Sequence, residues 1–315
     1  MDKPRVLLLE TLHEEAYKFL SRFCLPEPHY QAPPTGGKFD AIITRGKGRI
    51  TASLMDHCEG LRVIARCGVG LDNIDVEAAS ARQIPVINAP GVNTQTVAEH
   101  TITLILMLVR NMYNSVAAVK NNHWDYRNGI VSDEITGKTL GIAGMGNIGR
   151  KVAQIAKVLG MEIIYFDPWT SAEEFRKVSL DDLLNTADVI SLHLPLTENT
   201  RGFFGKNQIT RMKPGAFLVN TSRGEIVDHE AVEESLAAGH LGGFAADVLP
   251  QEPPPPDYAL LNHPNVLITP HSASLTASTY RQMCLLTVQN VVGLLTHTSF
   301  NIQSIFNRHD LLKYQ

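Results

Sequence analysis

The chain has 315 residues, 44% of them hydrophobic and 19% charged, with a formal net charge of -4 at pH 7. That composition fits a folded globular chain of roughly two domains and offers no general attraction to nucleic acid or an anionic membrane. Its cysteines, Cys24, Cys58, Cys67 and Cys284, form no CxxC pair or metal-ligand spacing, so reduced thiols, a cytoplasmic setting and no bound metal are expected.

Taken in chain order, residues 5–9 enter a strand-like run at once, without signal-peptide architecture. Residues 12–23 have helical spacing, with Leu12, Ala16, Phe19, Leu20 and Phe23 on one side. Short apolar runs at 41–44, 62–65 and 86–88, separated by helical stretches such as 75–82, have the spacing of parallel βαβ units. The turn after the first run, Glu10-Thr11, holds no glycine, so this half is expected to be a nucleotide-domain architecture without a phosphate loop. A small basic cluster, Arg45, Lys47 and Arg49, follows the second run. Residues 96–119 read as one long helix, apolar on more than one face and so buried or at a subunit contact. The most apolar stretch, 102–109, is far too short to span a bilayer. Strand and helix signals alternate again over 139–269, and a last helical stretch, 276–295, leads into a tail too short to fold alone.

Gly144-Met145-Gly146-Asn147-Ile148-Gly149 stands between an apolar run, 139–143, and an amphipathic stretch, 148–159. The next apolar run, 162–166, is closed by Asp167. Strand, tight turn, helix, strand and acid is the order a dinucleotide site needs. Gly144 permits the turn and Gly146 lets backbone approach a pyrophosphate. Gly149 lets helix pack on strand, and the helix N-terminus faces the phosphates. Asp167 at the strand end accepts hydrogen bonds from ribose hydroxyls and repels the extra phosphate of NADP, and Pro168-Trp169-Thr170 supply no arginine to receive it, so NAD is expected. A turn-forming Asp before Pro168 is the alternative reading of this acid. The expected fold is therefore α/β with two doubly wound parallel-sheet domains: a Rossmann NAD-binding domain, 97–286, inserted into a split substrate domain formed by 1–96 and 287–315.

Three polar residues follow strand-like runs of the second half: Arg223 after 216–220, Glu252 shortly after 243–247, and His271 after 265–270. In a parallel sheet these strands end on one edge, beside the glycine turn. Reduction of a 2-oxo acid needs a cation for the carboxylate and a proton donor for the carbonyl oxygen. Arg223 suits the first task through two parallel hydrogen bonds, and His271, as an imidazole, the second. Glu252 would orient the ring and favour the imidazolium. His193 and His100 read as structural.

Ordered matches along the chain then show a resemblance. They are Gly68-Val69-Gly70-Leu71-Asp72-Asn73-Ile74-Asp75, Asn88-Ala89-Pro90-Gly91-Val92-Asn93, Val97-Ala98-Glu99-His100 and the glycine turn. Later come Val219-Asn220-Thr221-Ser222-Arg223-Gly224, Asp247-Val248 with Glu252-Pro253, and Thr269-Pro270-His271. With these the chain resembles the D-specific 2-hydroxyacid dehydrogenases related to phosphoglycerate dehydrogenase. The resemblance implies a flavodoxin-like substrate domain, a homodimer joined through the helix of 97–119, and Arg223, Glu252 and His271 in the roles above. It also implies backbone of Val69 and Gly70 on the substrate carboxylate, and Thr221, Ser222 and Asp247 around the nicotinamide. Ser272-Ala273-Ser274 departs from the glycines many members carry after the histidine.

Glyoxylate, hydroxypyruvate, branched 2-oxo acids and phosphohydroxypyruvate all stay open as substrates. Arg45 and Lys47 would serve a phosphorylated or dianionic acid; a solvated basic turn is the other reading. Some relatives are NAD(H)-sensing corepressors that bind peptide partners with the same fold, and that alternative class stays open too.

Overall fold

The computed structural model describes residues 3–129 and 132–312. They fall into two compact units, Met1–Asn93 with Leu275–Gln315, and Thr94–Ser274.

The first unit is built on five parallel strands in the spatial order Leu25–Pro28, Arg5–Leu8, Ala41–Thr44, Val63–Arg66 and Val86–Ile87. Numbered along the chain, that is the flavodoxin-like 2-1-3-4-5 order. Successive side chains of a strand point to opposite faces, and both faces here are covered, so the central strands read as unbroken apolar runs. Val6, Leu8, Ile43 and Ala65 pack under helices Glu14–Phe23 and Ala277–Thr296. Leu7, Ile42, Ile64 and Val86 pack against Leu54, Met55 and Ala79 on the other side. The edge strand Leu25–Pro28 carries two prolines, which lack ladder donors, so its sequence does not read as a strand.

The second unit holds seven parallel strands in the order Arg176–Lys177, Glu162–Phe166, Thr139–Ala143, Val189–Leu192, Phe217–Asn220, Gly243–Ala246 and Val266–Ile268. The chain starts at Thr139–Ala143, winds to one edge, returns, and fills the sheet to the other edge. Its direction of winding reverses between Thr139–Ala143 and Val189–Leu192, and such a switch point opens a crevice at the carboxyl ends of the strands.

Two features differ from the sequence reading. The chain returns to the first unit at Leu275 rather than at residue 287, and leaves it after Asn93 rather than after residue 96. The earlier return follows from packing: Cys284, Val288, Val291 and Val292 of helix Ala277–Thr296 share one core with Val6 and Leu8. Residues 96–119 do not form one helix but parts of two, Thr94–Val109 and Met112–Lys120, bent by 68°. Asn111, at φ +48°, makes the corner in the left-handed region that asparagine tolerates. The first helix buries Val97, Ile102, Leu104, Ile105 and Leu108, whereas the second leaves Met112, Tyr113, Val116 and Val119 exposed. The apolar character on more than one face belongs to the first helix, which is deeply buried, and the second is a separate element with different surroundings. Among the described residues no single helix is long and apolar enough to cross a membrane.

Candidate active site

The glycine turn leaves strand Thr139–Ala143 at the switch point of the second unit. Gly144 lies at φ +96°, and a Cβ there would sit 2.6 Å from the carbonyl oxygen of His193, so a side chain is excluded on both counts. Gly149 is crowded in the same way: its Cβ would lie 2.1 Å from the Gly144 carbonyl oxygen, which brings helix Asn147–Val158 onto the turn. Gly146 differs, because a Cβ on it would meet nothing within 4 Å. It is the N-cap of that helix and offers no side-chain cap, while Asn147 is exposed and Ile148 packs on the core. The open face above Gly146 and an uncapped helix N-terminus fit a pyrophosphate group.

Asp167, 7% exposed, ties this turn to the next strand. One carboxylate oxygen accepts from the Met145 N–H at 2.7 Å, and the other from the N–H groups of Trp169 and Thr170, both at 2.8 Å. Burial pushes its carboxyl up, but the three N–H donors outweigh burial and hold it below the usual carboxylate range. The turn-forming role and a charged acid at the strand end therefore coexist in one residue. Arg150 reaches this loop from the helix and is held there by Glu174 at 2.7 Å and the Ser171 carbonyl.

Arg223, Glu252 and His271 follow three adjacent strands, Phe217–Asn220, Gly243–Ala246 and Val266–Ile268, at their carboxyl ends. His271 Nδ1 lies 2.7 Å from Glu252 Oε2, and the other Glu252 oxygen accepts from the Leu249 N–H at 2.9 Å. A carboxylate only accepts, so the proton sits on Nδ1 and Nε2 is turned away from the pair. Both side chains reach solvent, at 49% and 37% exposure. His271 stands at φ +51°, a strained position for a histidine. Asp247, 1% exposed, holds that turn: its carboxylate accepts from Thr269 Oγ1 at 2.6 Å, Ser272 N at 2.9 Å and Ala273 N at 2.8 Å.

Neighbours of these three residues shape the rest, and sequence reasoning gave Asn220 and Gly224 no role of their own. Asn220, fully buried, accepts from both the N–H and the hydroxyl of Ser222 and donates to the Arg223 carbonyl, folding the turn that presents the half-buried Arg223. A Cβ on Gly224 would lie 2.0 Å from the carbonyl carbon of Leu249, so the Arg223 and Glu252 loops touch backbone to backbone. Thr221 bonds Thr101 at 2.9 Å. His100, taken as structural, reaches Thr269 Oγ1 at 3.0 Å and thus belongs to the Asp247 network. Burial holds His193 neutral, pushed down to about 3.

In the first unit, the loop after Val63–Arg66 has its carbonyls tied down. Gly68 O accepts from Ala89 N at 2.8 Å, Val69 O from Asn88 Nδ2 at 2.8 Å, and Gly70 O from Arg66 Nη1. In a trans peptide the next N–H points opposite to the carbonyl, so the N–H groups of Val69 and Gly70 face the other way. Arg45 lies 5.0 Å over the Tyr280 ring and 3.8 Å from Glu10. The basic loop's own N–H groups are occupied: one Glu10 oxygen accepts from the backbone of Arg45, Gly46, Lys47 and Gly48 at 2.6–3.2 Å. Burial acts to raise the Glu10 carboxyl, but these donors prevail and it stays below its usual range.

Residues 102–273 match the family model described as "D-isomer specific 2-hydroxyacid dehydrogenase, NAD binding domain". A glyoxylate reductase of Aeropyrum pernix is 39% identical, over 93% of each chain. A D-3-phosphoglycerate dehydrogenase of Archaeoglobus fulgidus is 36% identical over 96% of this chain and 60% of its own length. Two further D-3-phosphoglycerate dehydrogenases, of Arabidopsis thaliana and Bacillus subtilis, are matched over only 49% and 46% of theirs, so the chain spans about half the length of these relatives. Among solved structures, the TT0316 protein of Thermus thermophilus superposes with a TM-score of 0.88 at 36% identity, covering 94% of this chain and 98% of that one. The matched residues lie in the unit that holds the seven-stranded parallel sheet. The chain belongs to the D-isomer specific 2-hydroxyacid dehydrogenase family.

Proposed function

We propose that this chain is an NAD(H)-dependent D-2-hydroxyacid dehydrogenase acting on a small 2-hydroxy acid and its 2-oxo partner. The observation that carries the reading is the Glu252–His271 pair at 2.7 Å, on the same sheet edge as the glycine turn. A nicotinamide dinucleotide, when bound, would supply or accept the hydride. Gly144, Gly146 and the N–H groups of Asn147, Ile148 and Gly149 are assigned to its pyrophosphate, and Asp167 to its ribose. Thr221, Ser222 and Asp247 are assigned to the nicotinamide end. Arg223 would hold the substrate carboxylate by paired hydrogen bonds; in the first unit, the N–H groups of Val69 and Gly70 are assigned to substrate binding. His271, its Nδ1 proton held by Glu252, presents Nε2 to the substrate oxygen. As imidazolium it gives a proton while the carbonyl becomes a hydroxyl, and as neutral imidazole it takes that proton back in the reverse direction.

NAD is preferred to NADP because Asp167 is charged, residues 168–170 hold no arginine, and Arg150 is already paired with Glu174. A substrate with a single carboxylate, such as glyoxylate or hydroxypyruvate, is preferred because Glu10 fills the basic loop and lies beside Arg45. A phosphorylated acid is the second reading, favoured by the exposed Lys47 on that loop. The exposed apolar side chains of Met112, Tyr113, Val116, Val119 and Trp124 support a homodimer.

NADH oxidation against a panel of 2-oxo acids tests the reading. His271→Ala should lower kcat at least about 100-fold, as loss of a general acid does. Full activity in that variant, or NADH binding without turnover of any acid, would overturn it. The second result would direct attention to the corepressor alternative.

A further inference from the structure

Behind the Arg223 and Glu252 loops lies a polar pair that the mechanism does not use. His229 opens helix His229–Ala237, which begins just after the Arg223 turn, with Asp228 as N-cap. Tyr258 ends the proline-rich stretch that starts at Glu252, and its N–H bonds the Pro255 carbonyl at 3.1 Å. His229 Nδ1 and the Tyr258 hydroxyl share a short hydrogen bond. His229 is 9% exposed, packs edge-on against Phe244 at 5.5 Å, and has the Gly224 carbonyl beside its ring. Apolar side chains of similar shape would fill both places at little or no cost in stability, because replacing both partners of a buried hydrogen bond can be nearly neutral. The pair therefore calls for a reason other than packing.

Position supplies the reason. The two loops touch at their near ends, where Gly224 lies on the backbone of Leu249 and Pro250. The His229–Tyr258 bond joins their far ends, so each loop is held at two points. Glu252 stands between those points on its loop, and Arg223 lies one residue before the Gly224 contact on the other. Glu252 in turn takes Leu249 N–H with one oxygen and His271 Nδ1 with the other. We infer that His229 and Tyr258 are positioning residues, a clamp that keeps the Glu252 carboxylate on His271 Nδ1 and thereby keeps Nε2 turned outward. Burial keeps both partners neutral: His229 is pushed down to about 4, with the nearby Gly224 carbonyl and Asp228 opposing only in part, and Tyr258 is pushed up to about 12 by burial and the charge of Glu233. A neutral hydroxyl donating to a neutral imidazole carries no charge that would compete with Glu252 for His271.

Tyr258→Phe removes one oxygen and leaves the ring, so it tests the clamp without opening a cavity. The readout is 15N NMR of histidine-labelled protein above the pH of imidazole titration, with His271 assigned by His271→Gln. The wild type should show His271 as the Nδ1–H tautomer. In Tyr258→Phe the Nε2–H population should rise, and kcat for 2-oxo acid reduction should fall about fivefold with KM for NADH unchanged, the effect of one neutral hydrogen bond. Val232→Ala, a buried truncation in the same helix, should lower Tm and change neither. Wild-type tautomer and kcat in Tyr258→Phe would overturn the inference, and so would the same changes in Val232→Ala. The kinetic arm rests on the proposed function; a wild type without turnover would overturn that function while the tautomer comparison still decides the clamp.

Discussion

Gly146 and Gly149 sit three residues apart in one turn, and the structure separates what each is for. At Gly149 an added Cβ would lie 2.1 Å from the Gly144 carbonyl oxygen and 3.1 Å from Ile142 Cγ2. Backbone cannot rotate away, so the helix would have to shift by roughly 1 Å, and overpacking of this kind costs about 1–3 kcal/mol. Alanine recovers up to about 1 kcal/mol of helix propensity. Gly149→Ala should therefore lose about 1 kcal/mol, which for a domain of this size lowers Tm by roughly 2–4 °C. At Gly146 a Cβ meets nothing within 4 Å and φ is -74°, open to any residue. Gly146→Ala should stay within about 1 kcal/mol of wild type, the cost of a poorer N-cap. Its methyl group would nevertheless stand where a pyrophosphate must approach backbone N–H groups, and NADH affinity should drop about 100-fold, close to 2.8 kcal/mol. Urea unfolding and NADH fluorescence titration on both variants decide the matter. NADH binding at wild-type strength by Gly146→Ala, or a wild-type unfolding midpoint for Gly149→Ala, would refute the division.

Other outcomes follow from particular residues. The His229 imidazole is depressed to about 4 in the folded chain. The unfolded state therefore binds the extra proton first as pH falls, and stability present above about 6.5 is lost between there and pH 4. His229→Gln should reduce the difference in unfolding free energy between pH 7 and pH 4 by on the order of 3 kcal/mol. Glu10→Gln removes the carboxylate beside Arg45 and should raise turnover of phosphohydroxypyruvate relative to glyoxylate; an unchanged ratio would remove the argument for a substrate with one carboxylate. Val116→Asp places a charge in the exposed apolar strip of Met112–Lys120 and should halve the mass seen by light scattering, provided the wild type is a dimer. Asp167→Asn should weaken NADH binding and narrow its preference over NADPH, measured by paired titrations.

Much of this site is written in short spans. A glycine turn between an apolar run and an amphipathic stretch has few physical uses, so Gly144, Gly146, Gly149 and Asp167 are legible from spacing. Strand ends are legible in the same way, which is why Arg223, Glu252 and His271 come out on one edge. What could not be read depends on partners far along the chain. Glu10 meets a loop beginning at Arg45, Gly224 meets Leu249, and His100 meets Thr269. None of these contacts leaves a periodic trace. The corner at Asn111 escaped for another reason: both helices flanking it are apolar, and periodicity alone does not mark the residue where one ends.

The sequence by itself determined the alternation of strand and helix, the dinucleotide turn and the polar residues at the strand ends. Local hydrophobic period and glycine stereochemistry act within a few residues, and that is where the signal lies. Only the tertiary structure decided that helix Ala277–Thr296 closes the first unit, that Asp247 holds the strained turn of His271, and that Glu10 fills the basic loop. Those are choices among distant partners, settled by which apolar faces are covered and which buried polar groups find donors and acceptors once the sheets have formed.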